Sequence, residues 1–352
     1  MNTIKTWVYG LLEQCLWGWH KMVDFWSKKL LMGEKPGPIT VNYMALANNG
    51  AALIGSEDGL KWVVLPNAPI TPTNASITYN TLQKAFVIGR NNGNICYTTD
   101  GYNWASSTLP DTSHGGYLFQ CDIYTYAASY NSSNIMYRSL DLQNWSTVNM
   151  PSNTQWRSIS YNSSRNRWIG VGGYTSGAYS TNGTTFTEAT LPSTTHWYET
   201  VVNTAENAVY AVGGGYSSQT VTSAYALNGN VWYGKETTAN LHRVAYSNTF
   251  GVVAVNDYAR EGLWDVVNNR QLMETGPNCG TTTQYFDLEV LGDRLYICGY
   301  DWSGETRIPL LAYTTNTNYD WTYLSLPSSI WRVDKIVKIP DAINIAPEIG
   351  GW

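Results

Sequence analysis

The chain has 352 residues, 43% of them hydrophobic, which is ample for a sizeable core, and only 13% charged, about half the usual share. Its net charge is −5, from 21 basic against 26 acidic residues, and no basic block is present, which argues against nucleic acid as a partner. Sixteen Trp and 26 Tyr, with Ser, Thr and Asn in place of Lys and Glu, suit an all-β extracellular or particle-bound protein better than a cytosolic enzyme.

Residues 3–31, TIKTWVYGLLEQCLWGWHKMVDFWSKKLL, carry apolar side chains at Ile4, Val8, Leu11, Cys15, Met22 and Trp26, spaced by 3, 4 or 7. Trp7, Leu12, Leu16, Trp19, Val23 and Leu30 widen that stripe, and Glu13, His20, Asp24 and Lys28 mark the opposite side. The spacing predicts an amphipathic helix over 1–33, stopped by the GEKPGP stretch, with a linker at 34–38. Trp7, Leu11, Trp19, Met22 and Trp26 would anchor it to neighbouring subunits. Lys5, Lys21, Lys28 and Lys29 leave a membrane surface open as an alternative, and packing on the chain's own body is a third. The start of the chain has no export signal of the usual shape, and no run of 18 uncharged apolar residues is present to span a membrane.

From residue 39 the pattern changes to short strands. A turn with an aromatic residue behind it recurs at Trp62, Trp104, Trp145, Phe186 and Trp232, with gaps of 42, 41, 41 and 46, and again at Trp321. The interval before Trp321 is two periods long and holds a decayed copy near residues 264–271, so the units number seven. A period of 40–50 residues with several short strands is the signature of propeller blades. The expected fold is therefore all-β: a seven-bladed β-propeller over 39–340, behind the helix and before a tail at 341–352. The first unit is one strand short, and IWRVDKIVKI at 330–339 is the strand expected to return and close it, leaving no free sheet edge.

Within the repeated turns, Asp58, Asp100, Asp141 and Asn182 each stand where a side-chain oxygen accepts backbone N–H groups of the turn ahead, and a Gly usually follows. These residues are read as structural, with the aromatic residue packing between neighbouring sheets. The turns SEDGLKW, TTDGYNW, SLDLQNW and STNGTTF resemble Asp-box repeats, also called bacterial neuraminidase repeats. The wider unit, including MPSNTQWRSISYN, IGVGG and AYSTNGTTF, resembles repeats common in proteins of tailed bacteriophages and prophages. That resemblance implies a virion component rather than an enzyme.

A sialidase holds its substrate carboxylate with three Arg and uses a Tyr–Glu pair and an acidic proton donor. Here Arg307-Ile308-Pro309 falls in the seventh unit, away from the family's position, and the acids on inner strands are sparse: Glu199, Asp287, Glu289 and Asp334. His20, His114, His196 and His242 lack metal-ligand spacing, and the five cysteines are odd in number with no CxxC pair, so no metal, cofactor or disulfide framework is expected. Aligned at the start of the innermost strand, one column reads Trp156, Trp197, His242, Tyr285 and Trp331, and the next reads Arg157, Tyr198, Arg243, Phe286 and Arg332. Either the Trp pack between blades and the Arg satisfy carbonyls, or the set rings one mouth of the channel and grips a partner segment or a sugar.

The sequence thus predicts a non-enzymatic structural protein of a bacteriophage virion, of the tail or its attachment apparatus, assembled in the host cytoplasm. Its helix would join it to other virion proteins in an oligomeric assembly, and the propeller would be an interaction platform, with a host glycan or receptor as a further partner. A glycan-binding module is the alternative, a sialidase-like glycosidase the second, and a membrane-associated assembly factor the third.

Overall fold

A computed structural model describes residues 40–65, 69, 75–214, 221–236, 239–256, 262–273, 283–303 and 306–339. The predicted helix, with Trp7, Leu11, Trp19, Met22 and Trp26, and the predicted tail lie outside these residues. The described residues form seven four-stranded antiparallel sheets, which are the blades of a seven-bladed β-propeller.

Blades 2 to 7 each use four strands in chain order, except that their inner strands begin a new sheet each time: Ala75–Asn80, His114–Cys121, Trp156–Asn162, His196–Asn203, Arg243–Ser247 and Gln284–Leu291. Blade 1 is built from both ends of the array. Tyr43–Ala47, Ala52–Ser56 and Val63–Val64 are its outer three strands, and Val333–Lys338 pairs antiparallel with Tyr43–Ala47 as the inner one, Ala45 opposite Ile336. The returning strand is therefore as the sequence implied, and it removes the edge that an unclosed blade would expose.

Second strands are buried on both faces, as in Tyr43–Ala47, Ala85–Arg90 and Ala208–Gly214. Each sheet has neighbours on both sides, so these strands are nearly continuous apolar runs, whereas fourth strands such as Ala105–Thr108 are largely exposed. The hydrophobic clusters lie between blades. The repeated turn's aromatic residue sits in each case against the preceding blade: Trp62 with Tyr296 and Cys298, Trp104 with Met44, Trp145 with Val87, Phe186 with Tyr126, Trp232 with Ile169, and Trp321 with Val253.

The turns have the bonding expected of them. Asp58 Oδ1 accepts the N–H groups of Leu60 and Lys61 at 2.8 and 2.9 Å, and Asp100, Asp141 and Asn182 repeat the pair. The polar residue two positions earlier has its own part, since Ser56 Oγ accepts the N–H of Gly59 at 2.9 Å. The Lys61 and Leu60 N–H groups hold the Asp58 carboxyl below its ordinary value, and those of Asn144 and Gln143 do the same for Asp141. Burial works against the charge of Asp100, but the N–H groups of Asn103 and Tyr102 outweigh it and hold its pKa at about 2. The turns also dock onto the preceding blade, where Tyr126 Oη donates to the Gly183 carbonyl at 2.8 Å and Tyr296 Oη to that of Gly59 at 3.3 Å.

Candidate channel-mouth site

The inner strands are irregular where they begin. Trp156 pairs with Gly172 and the next pair is Ser158 with Val171, so Arg157 is an extra residue with no partner across the ladder. Tyr198 is skipped in the same way between Trp197 and Glu199, and Phe286 between Tyr285 and Asp287. In blade 3 the skip takes in Gly115 and Gly116 before Tyr117, and in the closing strand it falls at Asp334. A bulge bends its strand and re-aims one side chain. Here it turns Arg157, Tyr198 and Phe286 toward the axis, where with Tyr117, Arg243 and Arg332 they line a cavity of about 400 Å³.

The same bulges correct half of the sequence reading. Trp156 and Trp197 are 1% and 0% exposed and belong to inter-blade clusters, not to the mouth. Their indole N–H groups donate to the carbonyls of Ser152 and Ser193, which fixes the connections entering their strands. Tyr285 is fully buried as well. Of that first column, His242 lines the cavity, and Trp331 is half-buried beside it against the guanidinium groups of Arg307 and Arg332. The second column, Arg157, Tyr198, Arg243, Phe286 and Arg332, lines the cavity throughout.

Two arcs of rings and cations make up the mouth. In one, Arg157 lies 4.7 Å from the Tyr198 ring centroid, His242 is 4.0 Å from the same ring, and His196 is 6.3 Å from it. Tyr174 extends this arc beyond His196. In the other, Arg332 lies 4.0 Å from Phe286, and Arg307 stands within about 5 Å of Tyr300, Trp302 and Trp331. Arg332 is paired with Asp334, and Arg243 donates to the carbonyls of Phe286 and His242. Stacked Tyr117 and Tyr130, 5.6 Å apart, add a further part of the rim.

Below the rim the wall is ionic. Burial opposes the charge of Lys335, but Asp287, Glu199 and Glu289 outweigh it and raise its pKa. Burial, then the charge of Asp287, raises Glu289 to about 8, and burial raises Glu199 and Asp334. Two of these carboxylates join blades: Glu199 Oε2 accepts the Val244 N–H at 2.9 Å, and Asp287 Oδ2 that of Ile336 at 3.0 Å. Ser76 and Ser158 hydroxyls take the equivalent N–H groups of Leu118 and Thr200. Among the described residues no three His, Cys, Asp or Glu side chains are placed to hold a metal ion.

Lys335, Tyr117 and Tyr130 are mouth or wall residues that the aligned columns missed. Lys335 is legible in IWRVDKIVKI, but only once the extra residue before it is allowed for. Tyr117 is displaced by the two glycines ahead of it, of which Gly115 has φ 100° and would bring a Cβ within 2.5 Å of the Arg90 carbonyl oxygen.

The described residues thus form a seven-bladed β-propeller with rings and guanidinium groups around one mouth of its channel. Among solved structures the chain is similar to streptogramin B lyase, with a TM-score of 0.55 at 9% identity over 84% of this chain and 90% of that one. It is also similar to YCF48 bound to D1 peptide, with a TM-score of 0.51 at 13% identity over 82% and 88% of the two chains. The WD40 domain of Neurospora crassa Pan2 matches with a TM-score of 0.50 at 10% identity over 72% and 79% of the two chains. At these identities the likeness concerns the fold alone. No protein-family model and no curated protein matches the chain. No helix among the described residues is long and apolar enough to cross a membrane.

Proposed function

We propose that this chain is a non-catalytic binding propeller of a tailed-bacteriophage particle, in the tail or its attachment apparatus. Its channel mouth takes a protruding segment of a partner chain, and the turn-bearing face and closed ring supply a rigid disc behind it. The observation that carries this reading is the set of bulges that present Arg157, Tyr198 and Phe286 while leaving the adjacent Trp156, Trp197 and Tyr285 in the core. A bulge interrupts the ladder, and three in equivalent places serve a purpose other than sheet stability.

Catalysis is a poorer fit. Glu199 and Asp287 are already engaged with backbone N–H groups of the next blade and with Lys335, so they act as wall and fastening. Streptogramin B lyase is an enzyme by its name and YCF48 carries a peptide, so propellers of this shape accommodate both kinds of work. The virion setting is supported by the turn and unit repeats. Mass spectrometry of particles purified from the producing bacterium tests it: the chain at a fixed ratio to a tail subunit supports it, and absence from particles while abundant in the lysate contradicts it. Release of the fluorophore from a fluorogenic sialoside would restore the glycosidase reading.

A further inference from the structure

Arg157 is short of partners. A guanidinium has five N–H donors. Arg157 Nη2 donates to Gln155 Oε1 at 2.6 Å, and among the described residues its Nε–H has no acceptor and no carboxylate pairs with it. The other cavity-lining arginines are engaged, Arg332 with Asp334 and Arg243 with two carbonyls. On the same side of the mouth, His196 Nδ1 also has no partner among the described residues.

We propose that Arg157 is the specificity residue of the mouth, and that the partner segment seated there presents a carboxylate, from Asp, Glu or a chain end, to its guanidinium. This rests on the reading of the mouth as a site for a partner segment. A planar fork of N–H donors matches a carboxylate in two parallel hydrogen bonds, which a neutral acceptor does not reproduce. The surroundings favour an anion as well. Burial, then the charges of Arg157 and His242, holds the pKa of His196 below its ordinary value, which places positive charge beside that ring. Glu199, the nearest carboxylate along the strand, is directed to the Val244 N–H and interacts with Lys335 and Arg243 instead.

The rings deeper in the cavity argue for a peptide over a sugar. Stacking on a sugar needs an open aromatic face. Tyr198 is covered by Arg157 and His242, Phe286 by Arg332 and Tyr300, and Tyr117 by Tyr130 and Phe119. The more open rings, Tyr174, Tyr130 and Trp302, stand at the rim, while deeper in the cavity Arg157 offers N–H groups suited to a charged side chain and the backbone beside it.

The test is selection of a random decapeptide display library on the full-length chain, followed by affinity measurement with the selected peptides. Enrichment of Asp or Glu at one position is expected. Arg157→Gln should weaken the selected peptide by at least about tenfold, since it leaves the ligand's charge unpaired, and Arg157→Lys should recover part of it. Both variants should keep the parent Tm, which separates recognition from folding. Selected peptides with no acidic preference, or with an affinity that Arg157→Gln leaves unchanged, overturn the carboxylate assignment and leave the peptide site standing. No enrichment beyond that on a chain with Arg157, Tyr198 and Arg332 all changed to Ala overturns both. Binding of a glucuronate oligosaccharide that depends on Arg157, by a chain that selects no peptide, overturns the peptide occupant in favour of an acidic glycan.

Discussion

Asp287 Oδ2 accepts the backbone N–H of Ile336 at 3.0 Å, and so ties the inner strand of blade 7 to the strand that completes blade 1. Asp287 is 1% exposed and also helps to hold Lys335 in its charged form. Replacing it leaves a buried N–H unpaired and removes one of the lysine's counter-charges. Asp287→Ala is expected to lower stability by about 2–4 kcal/mol, and Asp287→Asn by less, because the amide oxygen still accepts the bond. The urea midpoint of unfolding measures this. An unchanged midpoint for Asp287→Ala would mean that the closing strand is held by its ladder alone.

Neighbouring residues at the mouth should behave oppositely. Trp197 is fully buried between blades, so Trp197→Ala is expected to cost about 3–5 kcal/mol. Tyr198 is the extra residue of the bulge and faces the cavity, so Tyr198→Ala should cost under about 1 kcal/mol while weakening any ligand held there. Thermal unfolding of the two variants compares them. Equal losses would contradict the division between core and rim.

The turn of blade 3 departs from the common phrase. Leu142 stands where four other copies have Gly59, Gly101, Gly183 and Gly229, at φ 64°, close to the 74° of Gly59 and Gly101. A left-handed non-glycine residue costs about 1–2 kcal/mol, but the Leu142 side chain is fully buried with Val87 and Tyr137, which contributes about 2–3 kcal/mol. Leu142→Gly, which restores the common phrase, should therefore destabilise by about 1 kcal/mol. At Gly59 the opposite change fails, because a Cβ would lie 2.4 Å from the Tyr296 hydroxyl. A higher melting temperature for Leu142→Gly would show that strain wins over burial.

The wall of the channel makes stability depend on pH. Glu289 titrates near 8 in the folded chain against an ordinary 4.5, so between these values the folded state retains a proton that the unfolded state has released. Its contribution is complete below 4.5 and is lost as pH rises toward 8. The Tm of the parent chain relative to Glu289→Gln should fall across that window and level off above it. A constant difference would place Glu289 in contact with bulk water.

Much of the architecture was legible because the repeat is a physical unit. Each copy must present an Asx oxygen to its turn and an aromatic residue to the preceding blade, so Trp62, Trp104, Trp145, Phe186 and Trp232 kept their period, and the missing strand of blade 1 had one candidate. The mouth was legible only in part. Aligning Trp156 with Trp197 placed Arg157 beside Tyr198 correctly, but a strand read as regular cannot say which of two successive residues faces the axis. The bulges decide that, and they depend on the pairing of the second strand. The ionic wall was also hidden, because Glu199, Asp287 and Glu289 come from two blades and meet Lys335 only when the chain's last strand returns. The helix expected over 1–33 lies outside the described residues.

The most direct test of the binding mouth is an electron cryomicroscopy map of the chain in the particle that contains it. A segment of a neighbouring subunit should enter the channel between Arg157, Tyr198 and Arg332. Contact made solely through the opposite face, where Asp58, Asp100 and Asp141 brace their turns, with nothing against Arg157, would contradict it.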